Sequence, residues 1–190
     1  MSYRKKLSPR LLAMAGYVQE GERVLDVGSD HAMIPLYLVE NGRSPAAILS
    51  DRVPGPLYKS YEQVSQMRDD DDADAGAGFA SAAEGTIRFP CTLGPYEFRL
   101  GDGLAAIHAG EVDVAVIGGM GGETIAGILA REPVLAVGLR RLILQPRTKT
   151  NELRIYLTNA GFEITADTSA EEKGRMCEIL VAAAISSEVE

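Results

Sequence analysis

The stretch Val24-Leu25-Asp26-Val27-Gly28-Ser29-Asp30-His31-Ala32 decides how the whole chain is read. Val24, Leu25 and Val27 give the short apolar run of a buried strand, and Gly28 permits a backbone turn that a side chain would obstruct. Residues 33–40 continue as a helix, so strand, glycine turn and helix follow in the order of a nucleotide-binding half-unit. The turn departs from the dinucleotide fingerprint. G-x-G-x-x-G requires three glycines, and this chain has Gly28, Asp30 and Met33 at those places. Helix N-termini and glycine nests attract anions while carboxylates repel them, so Asp26, Ser29 and Asp30 suit a cationic, hydroxyl-rich ligand better than a pyrophosphate. S-Adenosylmethionine, with a sulfonium, an ammonium and a ribose diol, has that chemistry. An ordinary parallel strand with a glycine turn is the alternative.

Upstream, Ser8-Pro9 reads as an N-cap and a first-turn proline, opening a helix whose Leu11, Leu12, Ala15 and Val18 face a core before Gly21. Arg10 lies one turn in, either solvated or, if the helix covers the site, at the ligand. Downstream, residues 46–49 form a second strand that delivers Ser50, Asp51 and Arg52. An acidic residue about 20 positions past the glycine turn is where these folds hold a ribose diol, so Asp51 is the expected ligand, with a solvated turn aspartate as the plainer reading. Leu57, Tyr61 and Val64 mark a helix running to about Arg68.

Residues 97–100 form the third strand, followed by Gly101-Asp102-Gly103. Asp102 is either an acceptor for an exocyclic amine such as that of adenine or a turn aspartate. The short helix after it ends at His108, read as a surface or capping histidine. Residues 112–117 are the most strand-like run and lead into Gly118-Gly119-Met120-Gly121-Gly122, a loop able to approach a flat ligand closely or to act as a hinge. A helix with Ile125, Ile128 and Leu129 on one face follows. Residues 142–144 are the fifth strand, ending in Gln145-Pro146-Arg147, where Gln145 offers donors and an acceptor at the crevice. After a helix bearing Leu153 and Leu157, residues 162–165 and 176–185 are the last two strands, a hairpin linked through the polar stretch 169–174. The expected fold is α/β and Rossmann-like, a seven-stranded, mostly parallel sheet with a C-terminal antiparallel hairpin and helices on both faces. Residues 86–96, with Pro90 and Pro95, are expected as an irregular extended piece.

The 190 residues, 46% hydrophobic and 24% charged, are read as one domain over 1–190. No apolar run approaches the ~20 residues of a membrane helix, and the basic start lacks the apolar stretch of a signal peptide, so a cytoplasmic protein without membrane partners is expected. Cys91 and Cys177 have no metal-ligand spacing, so neither a disulfide framework nor a bound metal is expected. The formal net charge of −8 argues at face value against a nucleic-acid partner. Six of the carboxylates crowd into residues 69–84 with no Lys or Arg, and without them −2 remains. That segment is small and acidic enough to read as a flexible surface insertion.

Several segments together resemble the bacterial tRNA adenine-22 N1-methyltransferases, the TrmK family. They are Leu7-Ser8-Pro9-Arg10-Leu11, Asp26-Val27-Gly28-Ser29-Asp30-His31-Ala32, Pro35, Leu100-Gly101-Asp102-Gly103-Leu104, Gly118-Gly119-Met120-Gly121-Gly122, Arg141-Leu142-Ile143-Leu144-Gln145-Pro146 and Glu178-Ile179-Leu180-Val181. The resemblance implies S-adenosyl-L-methionine as methyl donor and N1 of an adenine in the tRNA D-arm region as acceptor. It implies a crevice lined by Gly28, Ser29, Asp30, His31, Asp51, Asp102, Gly103, Gly119 and Met120, with Arg10 near the cofactor carboxylate or the substrate. Asp26, Arg52 and Gly118 join the cofactor set, and Met120, Gln145 and Arg147 the substrate side. The family's C-terminal helical extension is expected to be absent, the chain ending at Glu190 just past the last strand.

Gly119-Met120-Gly121 offers no side chain of the kind that accepts from an exocyclic amine, which fits attack by a ring nitrogen with an in-plane lone pair. The product is cationic, so a carboxylate such as Asp30 stabilises developing charge, and catalysis is mostly alignment. Asp30 and His31 are the catalytic candidates, with a structural role for His31 left open. RNA contact is assigned to Arg4, Lys5, Lys6, Arg10, Arg147, Lys149 and Arg154, against the alternative of scattered solubilising charge. A monomer or weak dimer is expected. The competing functions are a methyltransferase acting on another RNA or a small molecule, and a non-catalytic cofactor-binding module.

Overall fold

Apolar alternation in two neighbouring strands sets the architecture. In β1 (Val24–Val27) and β5 (Val114–Gly121), Leu25, Val27, Ala115 and Ile117 enter one core while Val24, Val114 and Val116 enter another, all nearly inaccessible. A strand buried on both faces belongs in the middle of a parallel sheet with helices on either side. The computed structural model describes residues 7–28, 32–67 and 88–185. Among these, β2 (Ala47–Asp51), β3 (Cys91–Leu93), β4 (Tyr96–Leu100), β6 (Arg141–Thr148), β7 (Phe162–Glu172) and β8 (Arg175–Ala184) complete one sheet in the order β3-β4-β2-β1-β5-β6-β8-β7. The run β4-β2-β1-β5-β6 is parallel; β3 pairs with β4, β8 with β6 and β7 with β8 in antiparallel sense. The order of connection reverses between β1 and β5, and open sheets of this kind bind ligands outside the carboxyl ends at that point.

Helices α1 (Pro9–Gly16), α2 (Met33–Glu40) and α3 (Pro54–Ser65) cover one face, bringing Met14, Ala15, Ile34, Leu38, Leu57 and Tyr61 to the sheet. Helices α4 (Gly122–Arg131), α5 (Pro133–Gly138) and α6 (Thr150–Asn159) cover the other with Ile125, Ile128, Leu129, Ala136, Leu153 and Leu157. The Ser8 hydroxyl caps α1 by accepting from the Leu11 N–H at 3.3 Å, with Pro9 in the first turn. That helix ends at Gly16, short of the expected Gly21; it buries Met14 and Ala15, while the expected Leu11 and Leu12 are only half-buried and Val18 is buried beyond its end.

Four expectations about the strands change. The sheet has eight strands, because residues 91–93, expected as irregular, pair with β4 through Cys91↔Phe98 and Leu93↔Tyr96. The hairpin is longer than its apolar residues indicate. β7 runs unbroken through residues 169–172, and only Lys173 and Gly174, at φ 51° and 74°, form the turn. As an edge strand, β7 has one face in solvent, so polar residues there are compatible with a strand. The glycine run after residue 117 is no free loop either. β5 continues to Gly121 beside β6, with register shifts around Met120 and φ 76° at Gly119. Residues 103–106 form a 3₁₀ turn rather than a helix, and His108 lies exposed beyond it.

Two ion pairs tie the layers together. Glu22, 3% exposed, accepts from Arg141 Nη1 at 2.8 and 3.0 Å and from the Gln19 N–H at 2.7 Å, joining the start of β6 to the segment before β1. Arg99 on β4 donates to Glu97 and to Glu111, and the Arg99 guanidinium holds the Glu111 carboxyl down at about 2. Glu22→Ala strands a largely buried guanidinium and is expected to cost about 3 kcal/mol, read as a lower urea midpoint at unchanged m-value. Glu111 has a folded pKa below its ordinary 4.5, so its stabilisation is complete above that value and drains as pH falls toward 2. Glu111→Gln is expected to flatten this acid limb in pH-dependent unfolding while leaving its neutral plateau shape unchanged.

Candidate active site

Gly28 N–H donates to the Ser50 carbonyl at 2.8 Å, which locks the end of β1 against β2 before the chain turns. Gly28 has φ 72°, and a Cβ on it would overlap the Met120 methyl. The end of β1 and the bulged end of β5 therefore touch, and the positive φ together with this contact favours glycine at position 28. Gly118 carries the same constraint from beneath, since a Cβ there would lie 2.9 Å from Met14 Cε of α1. Gly122 opens α4 so close to the Lys149 carbonyl that no side chain is possible at that crossing.

Three adjoining cavities follow this rim. One of about 570 Å³ is lined by Gly28, Asp51, Arg52, Asp102, Gly103 and Met120, with Thr124, Ile128 and Arg131 on the α4 side. A second, of about 330 Å³, continues from Val27 and Gly28 to Asp26, Gly118 and Gly119 beneath Arg10 and Met14. The third, of about 510 Å³, shares Arg10 and Gly119 and runs past Gln145 and Arg147 to the β7–β8 hairpin. Thus Arg10, Asp26, Gly28, Asp51, Arg52, Asp102, Gly103, Gly118, Gly119, Met120, Gln145 and Arg147, all named from sequence, come together on one edge. Ser29, Asp30 and His31 lie outside the described residues, as do Arg4, Lys5, Lys6 and the acidic segment 69–84.

The side chains on this rim are engaged in specific ways. Asp51 Oδ1 accepts from the Val53 N–H at 3.0 Å, a turn bond that fixes its carboxylate at the strand end. Asp102 Oδ1 accepts from Arg131 Nη2 at 3.1 Å, a half-exposed pair that sequence reasoning did not foresee because the two residues lie far apart in the chain. Gln145 is 3% exposed. Its carbonyl oxygen accepts from the Gly119 N–H at 3.2 Å and from Arg10 Nη1 at 3.0 Å, and its amide donates to the Pro146 carbonyl at 2.8 Å. Gln145 was expected to face a substrate, and its amide is instead directed at the backbone that shapes the crevice. Arg10 also donates to Glu172 Oε2 at 2.9 Å, and the Ser8 hydroxyl, with Arg10 behind it, holds the Glu172 carboxyl below its usual range.

Three members of the expected RNA patch are spoken for: Arg10 pairs with Glu172, Lys149 with Glu123 and Glu152, and Arg154 with Asp167 and Glu178. Lys173, Arg175, Met176 and Cys177 also border the third cavity and were not named for the site from sequence, Lys173 because it fell in the expected link and Met176 and Cys177 because they read only as strand residues. The Lys-Gly pair between alternating residues was the available signal. No group of three His, Cys, Asp or Glu side chains suited to a metal occurs among the described residues, nor does any helix long and apolar enough to cross a membrane.

The family model for tRNA (adenine(22)-N(1))-methyltransferase matches residues 76–190, and a general methyltransferase-domain model matches residues 7–93. The chain belongs to the TrmK family. The tRNA (adenine(22)-N(1))-methyltransferase of Bacillus subtilis (strain 168) is 34% identical over 179 residues, a match that takes in 94% of this chain and 66% of that protein. The crystal structure of B. subtilis TrmK superposes with a TM-score of 0.73 at 30% identity, over 94% of this chain and 67% of that one. A Streptococcus pneumoniae relative solved with S-adenosyl-L-methionine superposes at 0.78 with 34% identity, over 97% of this chain and 76% of that one. The fold is thus the Rossmann-like class I methyltransferase fold of the TrmK family.

Gln145→Leu leaves the Gly119 N–H and the Arg10 guanidinium without their acceptor. It is expected to lower stability by about 1–3 kcal/mol and to speed hydrogen exchange at Gly119 selectively. Equal protection of that amide in both proteins would contradict the clamp.

Proposed function

We propose that this chain transfers the methyl group of S-adenosyl-L-methionine to N1 of adenine 22 in tRNA. The observation that carries the reading is the 570 Å³ cavity, where carboxylates at the ends of two neighbouring strands share a lining with Gly28 at the point where the sheet reverses its winding. Its size is that of a small-molecule site, and its donor set matches the cofactor. Asp51 suits a ribose diol, Asp102 an exocyclic amine, and Asp26 with its carboxylate in the adjoining 330 Å³ cavity a cationic amino-acid end. Arg10, bordering that cavity too, suits the cofactor's own carboxylate. Membership of the TrmK family supports the choice of acceptor.

When bound, S-adenosyl-L-methionine supplies an electrophilic methyl on a sulfonium. The chain's own part is alignment. Met120, pressed against Gly28, presents an apolar edge rather than a proton acceptor, as suits a ring nitrogen that has no proton to lose. Gln145 acts at one remove, fixing Gly119 between the cofactor side and the substrate side. Asp30, carried on the turn after β1, is the candidate for stabilising the positive charge that grows on the methylated ring.

Calorimetry with S-adenosyl-L-methionine, followed by transfer of labelled methyl to bulk tRNA and nucleoside analysis, tests the reading, with 1-methyladenosine as the expected product. Label appearing only in another nucleoside would refute it. Asp51→Ala is expected to weaken cofactor binding about 10- to 100-fold, the worth of hydrogen bonds to a charged acceptor. Asp30→Ala is expected to abolish transfer while cofactor binding largely survives, and unchanged turnover would remove Asp30 from the mechanism.

A further inference from the structure

Beyond Leu144, β6 loses its pairing to β8, yet the hairpin continues past it to the turn at Lys173-Gly174. The tip of the hairpin thus stands over the carboxyl edge of the sheet, opposite Arg147 and beside α1, to which Arg10–Glu172 and Tyr17–Thr168 fasten it. The 510 Å³ cavity enclosed there is bordered by Arg10, Arg147, Lys173 and Arg175 against a single carboxylate, Glu172, in a chain whose formal charge is −8. Arg10 is used by Glu172 and Gln145. Arg147, Lys173 and Arg175 are exposed; none forms a direct ion pair among the described residues, although Lys173 is near enough to Glu172 to help hold its carboxyl down.

Two further features mark this corner. Lys173 sits at φ 51°, a left-handed turn position that Asn or Gly fills at less cost, so the cation is kept against backbone preference. Met176, 64% exposed, is an apolar, polarisable residue that borders the same cavity as the three cations. Cations spaced around an exposed apolar surface match a nucleotide strand, with phosphates on the rim and a base face on the thioether.

We infer that the β7–β8 hairpin tip and the end of β6 form a subsite for the single-stranded RNA flanking the target adenine, with Arg147, Lys173 and Arg175 on backbone phosphates and Met176 against a flanking base. This rests on the proposed RNA methylation and adds the recognition element that it leaves open. The cavity reaches the cofactor side through Arg10 and Gly119, so a strand lying here leads its neighbouring nucleotide to the crevice.

The test uses the full chain and a fluorescent tRNA transcript. Anisotropy measures affinity across a salt series, and labelled methyl transfer and cofactor calorimetry run in parallel. The charge variants are Arg147→Gln, Lys173→Asn and Arg175→Gln, singly and together, Asn being chosen because it accepts the left-handed turn. The triple variant is expected to lower the slope of log affinity against log salt by about 2, at roughly 0.7 per lost single-strand phosphate contact. KM for tRNA should rise with cofactor affinity unchanged. Met176→Ala is expected to weaken RNA binding with the salt slope intact, a separation that general loss of fold would not produce. Transfer with wild-type salt slope and KM in the triple variant overturns the subsite and leaves the methyltransferase reading standing. Salt-dependent RNA binding that falls in the variants, with no transfer by the wild type, overturns the reaction and keeps the subsite. Wild-type binding that is indifferent to salt overturns the subsite outright.

Discussion

The structure depends on one close approach: Gly28, at a positive φ and without a side chain, lies against the methyl of Met120. That contact sets the spacing between the first crossover and the continuation of β5, and so the width of the crevice between the strands where winding reverses. The positive φ at Gly28 is what lets the chain leave β1 without filling this gap, and the Gly28 N–H bonded to Ser50 keeps the turn seated while it does so. Gly118 leaves room for the Met14 side chain of α1, and Gly122 lets the start of α4 lie directly against the backbone that opens α6.

Around that contact a polar framework supplies stiffness. Gln145 spends both halves of its amide on neighbours, Arg10 spans from α1 to β6 and β7, and the Ser8 hydroxyl caps the helix and helps hold the Glu172 carboxyl below its usual range. These are buried or half-buried groups, and the bonds of Arg10 to Gln145 and Glu172 and of Gln145 to Gly119 join distant parts of the chain. Such networks hold geometry when complete and are costly when broken. The crevice is therefore flanked on one side by a wall set in place by hydrogen bonds and on the other by carboxylates at strand ends.

Much of this was legible from residue order. The run from Val24 to Gly28 announced strand and turn, and the acidic residue at 51 and the Gly-Asp-Gly at 101–103 marked strand ends because parallel strands deliver their last residues to one edge. What could not be read were pairings that sequence distance conceals. Nothing local links Asp102 to Arg131 or Arg10 to Glu172, and the side chain of Gln145 gave no sign that it would turn inward. The hairpin was underestimated for a different reason. Its outer strand is polar because solvent bathes one face, and polarity alone does not separate an edge strand from a link. Cys91 to Leu93 was too short a run to count as a strand until β4 gave it a partner.

Gly119 borders two chambers at once, with the hairpin groove on one side and the turn after β1 on the other. A partition made of bare peptide is as thin as a protein wall can be, and its amide is pinned by Gln145 so that it cannot swell or drift. Molecules occupying the two chambers would lie against opposite sides of one stretch of main chain, close enough for what fills one to be felt in the other.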